Sequence, residues 1–354
     1  MHNGNGTGDS LPADKTAPHF MVINRGWLPT KTTPVFDTYW RFAAERQAIF
    51  FNRISGNAQQ PTTDEILKTY KFTNAYRASD RVSQYLIRHV INEGEQHPEE
   101  LFFRIILFKT FNKIETWKLL KSRLGEITYR EYNFNRYDEV LSESLQRRHS
   151  IYSAAYIMPS GVRSFGEAYK HRNHLRLIEI MMQDSLPMRV CDAKSMLHVF
   201  EMLRSYPMIG DFLAYQYAID LNYSELTDFS EMSFVVPGPG AKDGIRKCFS
   251  DVGGLSEVDL IKCMAERQEA EFQRLGINFQ NLWGRALQLI DCQNLFCEVD
   301  KYARIAHPDV MGISGRTRIK QKFRPKSEPI EFFYPPKWGI NEAVERTMRM
   351  RITM

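Results

Sequence analysis

The chain holds 354 residues, 43% hydrophobic and 25% charged, the proportions of an ordinary globular protein with apolar material for a substantial core. Its net charge of +5 is too small for bulk electrostatics alone to mark a nucleic-acid binder, so the local distribution of charge carries the reading. Five cysteines without a CxxC pair exclude a disulfide framework and read as buried, reduced thiols, and no apolar run reaches the ~18 residues of a membrane span.

Residues 1–34 read as a disordered leader: Gly4, Gly6, Gly8, Asp9 and Ser10 are polar or small, and no basic stretch followed by an apolar run marks a secretory signal. Residues 35–338 then form a helical domain, divisible into two lobes, and 339–354 a C-terminal tail. Within it, 36–53 is rich in aromatics and alanines. Residues 77–91 place Val82, Tyr85, Leu86 and Val90 on one helical face. Pro98 opens a helix over 99–120 that is apolar nearly all round, hence central. Residues 121–150 are polar and irregular. Helices follow at 171–183 and 194–205. Pro207 and Gly210 break the chain, and a helix resumes at 212–221. A strand-like run at 234–236 precedes Pro237-Gly238-Pro239-Gly240. The last long helices are 258–275 and 287–305, and 312–336 is extended and basic. Without an alternating strand–helix series or a fixed repeat, the fold class is all-α with few short strands.

Five segments can carry chemistry. Residues 206–214 have the layout of a helix–hairpin–helix, in which backbone N–H groups beyond Gly210 hold a DNA phosphate; an ordinary corner between helices has the same composition. The second helix ends in Gln216 and Asp220, and an acid placed there can stabilise an oxocarbenium-like sugar as a base departs; Asp228 and Glu231 are rivals. In 234–247, Gly238 and Gly240 free the backbone to approach a phosphate, with Arg246 and Lys247 following. This does not match GxxxxGK[ST], which occurs nowhere in the chain and so argues against NTP hydrolysis or kinase activity by this polypeptide.

Residues 287–304 are the most distinctive. Asp291, Asn294, Glu298 and Lys301 recur at three and four residues, a polar stripe that must be paired or serve a site; an internal ion-pair ladder is the plainer alternative. In 315–326, Arg316, Arg318, Lys320, Lys322, Arg324 and Lys326 alternate with other residues, so an extended chain projects them from one face as a phosphate track. Phe323, Phe332, Phe333 and Tyr334 add stacking surfaces. Finally, Arg77 and Arg81 share a helix face beside Asp80, with Arg104 and Phe111 on the next helix, and Asn74 and Asn112 can read a base edge. His171 and His174 offer metal-ligand spacing, but two surface histidines on a helix explain them, and no metal is expected.

Together, YKFTNAYRASDRVSQYLIR, LFKTFNKIETW, IGDFLAYQYAIDLNYS, FVVPGPGAKDGIRKCF and LQLIDCQNLFCEVDKYAR with the trailing GRTRIKQKF resemble the α-glutamyl/putrescinyl-thymine pyrophosphorylases of DNA-base hypermodification. Related helical domains are fused to 5-hydroxymethyl-deoxyuridine DNA kinases. The resemblance runs from about Phe36 to Trp338. It implies an all-α, DNA-glycosylase-like fold and action on a modified base. It places functional polar residues at Asn74, Arg77, Asp80, Arg81, Asn112, Gln216, Asp220, Glu231, Lys247, Glu298, Asp300, Lys301 and Arg304, with Ser233 where relatives carry an acid or amide.

These readings combine into a DNA N-glycosylase-type hydrolase. Its catalytic acid is drawn from Asp220, Glu231 and Glu298. A base pocket of Asn74, Arg77, Asp80, Asn112, Gln216, Asp300, Lys301 and Arg304 receives a flipped base. Backbone contacts fall to Gly210, Gly238, Gly240, Arg246, Lys247, Arg316, Arg318, Lys320 and Lys322. The substrate is double-stranded DNA with a hypermodified pyrimidine, no cofactor is needed, and the setting is cytoplasmic defence against phages with modified genomes. The alternative is a transferase that replaces a pyrophosphorylated 5-hydroxymethyl group on thymine with an amine, which needs a DNA kinase in trans.

Overall fold

The computed structural model describes residues 19–23, 26–55, 62–156, 158–325 and 330–350. The chain is mainly helical, as expected, with fifteen α-helices among the described residues. Local chemistry sets their boundaries. Thr33 caps the helix Pro34–Ile54 by accepting from the Val35 N–H, and Pro34 occupies the first turn, where its missing N–H costs nothing. Asn133 caps Phe134–Gln146, and Ser256 with Asp259 forms a capping box for Glu257–Arg274.

Two helices expected as single units are broken. The run 99–120 divides into Pro98–Phe111 and Ile114–Leu124, because Asn112 takes a left-handed conformation at φ 48° and ends the first helix. The run 77–91 divides into a 3₁₀ turn Arg77–Ser79, an α-helix Arg81–Tyr85 and a π-helical turn Leu86–Ile91. Arg77 therefore does not share a helix face with Arg81. Residues 121–150, expected as irregular, contain Phe134–Gln146, whose Tyr137, Val140, Leu141 and Ser144 face inward. The expected strand at 234–236 is irregular.

The N-terminal segment behaves differently from the expected leader. His19–Ile23 and Gly26–Thr32 pair antiparallel, and the second strand pairs antiparallel with Phe249–Asp251, giving a three-stranded sheet. The leader residues 1–18 lie outside the described residues. At the other end the expected tail forms the helix Asn341–Met350, with Ile340 and Val344 buried against the body.

One hydrophobic cluster runs through the chain from Val35 to Val344. At its centre Pro239–Cys248 packs on Leu289–Ala306 with almost no side-chain spacer. A Cβ on Gly244 would stand 2.0 Å from the Phe296 carbonyl oxygen, so glycine is required for the approach. Met196–Arg204 and Asp211–Asn222 pack against each other across a turn with Met208 at φ 68°. Pro98–Phe111 lies against Asp211–Asn222 and Lys170–Gln183, buried on nearly every side as its composition demands. Among the described residues, no helix is long and apolar enough to cross a membrane.

Candidate active site

Asp211–Asn222, Pro98–Phe111 and the turn Arg77–Ser79 bring a charged cluster into the core. Arg77 is 2% exposed and Asp220 0%. Arg77 donates from Nη1 to Asp220 Oδ1 at 2.8 Å and to the Tyr223 hydroxyl at 3.2 Å, and from Nε to Gln216 Oε1 at 3.0 Å. Lys109 Nζ stands 3.1 Å from Asp220 Oδ2, donates to Asn112 Oδ1 at 2.8 Å and lies 4.6 Å from the Tyr156 ring centroid. Tyr156, at φ 55°, stacks on Phe212 with centroids 5.7 Å apart and covers Lys109. Phe212 in turn abuts Gly238.

Electrostatics separate these groups. Burial alone raises the Asp220 carboxyl, but Arg77 and Lys109 outweigh it and hold it below the usual carboxylate range. Burial and the neighbouring Arg77 push the Lys109 ammonium down to about 8, against the pull of Asp220. The site thus pairs an acid held below the usual carboxylate range with an amine held below the usual ammonium range. Two buried amide atoms are without a hydrogen-bond partner: Gln216 Nε2, and Oε1 of Gln293, the residue whose Nε2 lies beside Gly238. A donor and an acceptor left open in a dry site suit recognition of a base edge.

Lys109, Tyr156, Tyr223 and Gln293 were missed in the sequence. A readable signal existed for Lys109, a charge within the largely apolar stretch 101–111. Tyr156 and Gln293 carried none.

The remaining expected residues fall elsewhere. Asn74 donates from its backbone to Asp80 Oδ1 and from Nδ2 to the Ser79 carbonyl, both at 2.8 Å, while its Oδ1 accepts from Arg46 at 3.0 Å. Its amide is thereby spent on holding the 73–80 turn rather than left for a base. Burial pushes Asp80 up to about 7. Asn112 likewise serves its left-handed helix end and Lys109. Glu298 accepts from the Thr73 N–H at 3.0 Å and from Lys301 Nζ at 2.6 Å, away from the Asp220 pair. Asp291 joins the two groups: its Oδ1 accepts from the Arg77 N–H at 2.8 Å and its Oδ2 caps its own helix at Gln288 N at 3.0 Å, and burial pushes it up to about 6.

Lys247, expected on a phosphate, is 2% exposed and paired with Asp300 at 3.0 Å; Asp300 also holds Arg304. These three form a buried ladder of ion pairs. Gly238 and Gly240 turn their open sides to protein: a Cβ would meet the Phe212 ring at 3.0 Å and Cys297 Sγ at 2.8 Å. Arg246 is exposed, as is Gly210, the N-cap of Asp211–Asn222. Glu231 is 4% exposed and paired with Arg285 at 3.2 Å, and burial pushes it up to about 7. Asp228 is a surface residue 3.8 Å from Lys337.

His171 and His174, expected on the surface, are both buried; His171 Nε2 meets Asp138 at 2.7 Å, and His174 meets the Tyr152 hydroxyl and the Pro159 carbonyl, each at 2.8 Å. No cluster able to hold a metal occurs among the described residues. Cys191 is exposed, Cys297 half-buried and the other three cysteines buried.

Arg316, Arg318, Lys320, Lys322 and Arg324 are exposed, as are Thr317 and Gln321 between them, while Ile319 and Phe323 are half-buried against the body. The strap is tied by Lys71 N to the Gln321 carbonyl and Phe323 N to the Thr69 carbonyl, each at 3.0 Å, and by Arg304 Nη1 to the Arg318 carbonyl at 2.9 Å. Lys326 lies outside the described residues.

Residues 33–312 match the family described as "5-hmdU DNA kinase, helical domain". The chain is also similar to the 5-hmdU DNA kinase of Bacillus phage SP10, at 27% identity over a 292-residue alignment that covers 77% of this chain and 46% of that protein. It therefore spans less than half the length of that relative. No solved structure matches. The matched region includes Arg77, Lys109, Gln216, Asp220 and Gln293, and ends just before the basic strap. The relation to helical domains of 5-hydroxymethyl-deoxyuridine DNA kinases, expected from the sequence motifs, is borne out: the chain belongs to the family of the 5-hmdU DNA kinase helical domain.

Proposed function

We propose that this chain is a DNA N-glycosylase-type enzyme that excises a hypermodified pyrimidine from double-stranded DNA and leaves an abasic site. The observation that carries the reading is the Arg77–Asp220–Lys109 cluster, whose acid lies on the helix that follows the 205–210 turn. Residues 35–338 act as the working unit. The exposed N-terminus beyond Gly210 and the strap from Arg316 to Lys322 hold phosphates. The target base is flipped, displaces Tyr156 from Phe212, and meets Gln216 Nε2 and Gln293 Oε1. Asp220 stabilises positive charge at C1′ as the glycosidic bond breaks and its electron pair leaves with the base. Lys109, in its neutral form, takes a proton from the water whose oxygen bonds to C1′ and passes that proton to the departing base. Such an enzyme would serve in the cytoplasm against phages with modified genomes.

The test is to incubate the protein with phage DNAs carrying glucosylated or hydroxymethylated pyrimidines, and with unmodified DNA, while probing abasic sites and identifying released bases by mass spectrometry. Free modified base with matching abasic sites supports the reading; no release from any modified DNA sinks it.

A second reading rests on the similarity to a 5-hmdU DNA kinase. Here the chain replaces a pyrophosphorylated 5-hydroxymethyl group on thymine with an amine, using a kinase supplied in trans. Pyrophosphate release from kinase-treated hydroxymethyluracil DNA, without abasic sites, favours it.

A further inference from the structure

The turn that opens the basic strap presents an apolar side chain to solvent. Ile313 is 70% exposed, the most open large apolar residue among those described, with Met311 behind it at 50%. The backbone around Ile313 is held. The Ser314 N–H donates to Asp243 Oδ1 at 2.7 Å, and the Ser314 hydroxyl donates to Asp243 Oδ2. Asp243 is 2% exposed on the helix Pro239–Cys248, so the clamp is anchored in the body. On the other side of Ile313, a Cβ on Gly312 would stand 3.1 Å from the same Oδ1. The Gly315 N–H closes the turn on the Gly312 carbonyl at 3.4 Å, with Gly315 at φ 63°. Isoleucine adds its own stiffness, because branching at Cβ restricts its first side-chain torsion. A stiff apolar side chain on a clamped turn, left open to water, is shaped to bury itself in something that arrives from outside.

The surroundings select the partner. Lys242 and Arg246, one residue before Asp243 and three after it, are exposed; Arg316 follows the turn, and no acid occurs from Gly312 to Pro325. An apolar tip among cations fits a polyanion with an apolar interior, which is what stacked bases between phosphate chains provide. An anionic membrane shares that chemistry, but insertion there takes the apolar face of a helix, whereas here a single turn leads an extended row of cations. The turn is also close to the candidate active site. Asp243 is five residues along its helix from Gly238, about 7.5 Å or roughly two base-pair rises, and Gly238 abuts the Phe212 ring. We propose that Ile313 is a wedge that enters the base stack of a duplex held by the strap, unstacking one step and keeping the duplex kinked beside the base drawn toward Asp220. This role rests on the reading of the strap as a DNA contact and not on base excision, since a wedge reads stacking and acts on unmodified duplex as well.

The experiment titrates a short unmodified duplex, carrying 2-aminopurine at several positions, with the full chain to saturation, reading anisotropy for binding and 2-aminopurine emission for unstacking. The parent is expected to raise the emission about threefold. Ile313→Ala, at an exposed position where folding is not at stake, should bind about tenfold more weakly and, once saturated, lose the rise. Ile313→Phe, a larger apolar wedge, should keep it. No binding, no rise with the parent, or equal emission from the parent and Ile313→Ala at saturation overturns the wedge. Abasic sites on phage DNA are scored in parallel. Ile313-dependent unstacking without abasic sites keeps the wedge and removes the excision reading; abasic sites without Ile313-dependent unstacking remove the wedge alone. Vesicles of phosphatidylserine and phosphatidylcholine provide the last arm: vesicle binding that needs Ile313, with no effect of Ile313 on the duplex, makes the turn a membrane contact and overturns the wedge.

Discussion

Lys109 Nζ stands 3.1 Å from one oxygen of Asp220 while Arg77 Nη1 holds the other at 2.8 Å, so two cations share one fully buried carboxylate. Asp220→Asn preserves the shape and removes the charge on which both depend. Breaking a buried pair from one side costs about 3–5 kcal/mol, and the urea midpoint should fall accordingly. Base release from modified DNA should drop on the order of 100-fold when normalised to folded protein. Full activity in a destabilised but folded variant would reduce Asp220 to a structural role.

Glu231 predicts a pH effect. Burial raises it from 4.5 to about 7, despite Arg285. Between those values the folded state binds more protons than the unfolded one, so stability falls as pH rises through about 7. Glu231→Gln stays neutral throughout. Relative to the parent it should gain about 2–3 kcal/mol on going from pH 5 to pH 8, read by urea unfolding at each pH. Histidines held below their usual value, such as His174 at about 4, act in the opposite sense but cancel in this comparison. A difference independent of pH would mean that Glu231 is ionised at pH 5.

The strap predicts a salt effect. Replacing Arg316, Arg318, Lys320 and Lys322 by alanine should weaken DNA binding and flatten its salt dependence, by about 0.9 in the logarithmic slope for each phosphate no longer neutralised. All four are exposed, so stability should change by less than about 0.5 kcal/mol. Anisotropy titrations over a range of salt concentrations measure the slope, and an unchanged slope removes the strap from the interface.

The packing of Pro239–Cys248 on Leu289–Ala306 predicts a structural effect. Gly244→Ala is helix-favouring by about 1 kcal/mol in isolation, but its methyl would sit 2.0 Å from the Phe296 carbonyl oxygen. Forcing the helices apart should leave a net loss of about 3 kcal/mol, visible as a lower melting temperature. A variant as stable as the parent would show that this approach of the two helices yields easily.

Periodicity made the long helices legible, and Thr33-Pro34 marked where the first one starts. Helix breaks were harder, because Asn112 carries a left-handed turn that many asparagines do not adopt, and Asp80 interrupts a run whose apolar spacing continues past it. The strand Gly26–Thr32 escaped because one of its pairing partners, Phe249–Asp251, lies more than 200 residues away, and among the described residues His19–Ile23 pairs only onto that strand. In the site, Asp220, Gln216 and Arg77 were legible as a set and come together. Lys247, Asp300 and Arg304 had the same residue chemistry and became an ion-pair ladder. Sequence spacing shows which residues share a helix face, but what that face meets is decided by tertiary packing.

The strap is gripped by its peptide groups: the Gln321 and Arg318 carbonyls accept, and the Phe323 N–H donates. Peptide groups are common to every residue, with proline excluded only where the N–H is used. The outward side chains of Arg316, Arg318, Lys320 and Lys322 can therefore be exchanged while the ribbon keeps its course. Its attachment is decoupled from its message, so relatives can rewrite the charge pattern along this edge, and adapt to differently decorated polymers, while the helices beneath stay as they are.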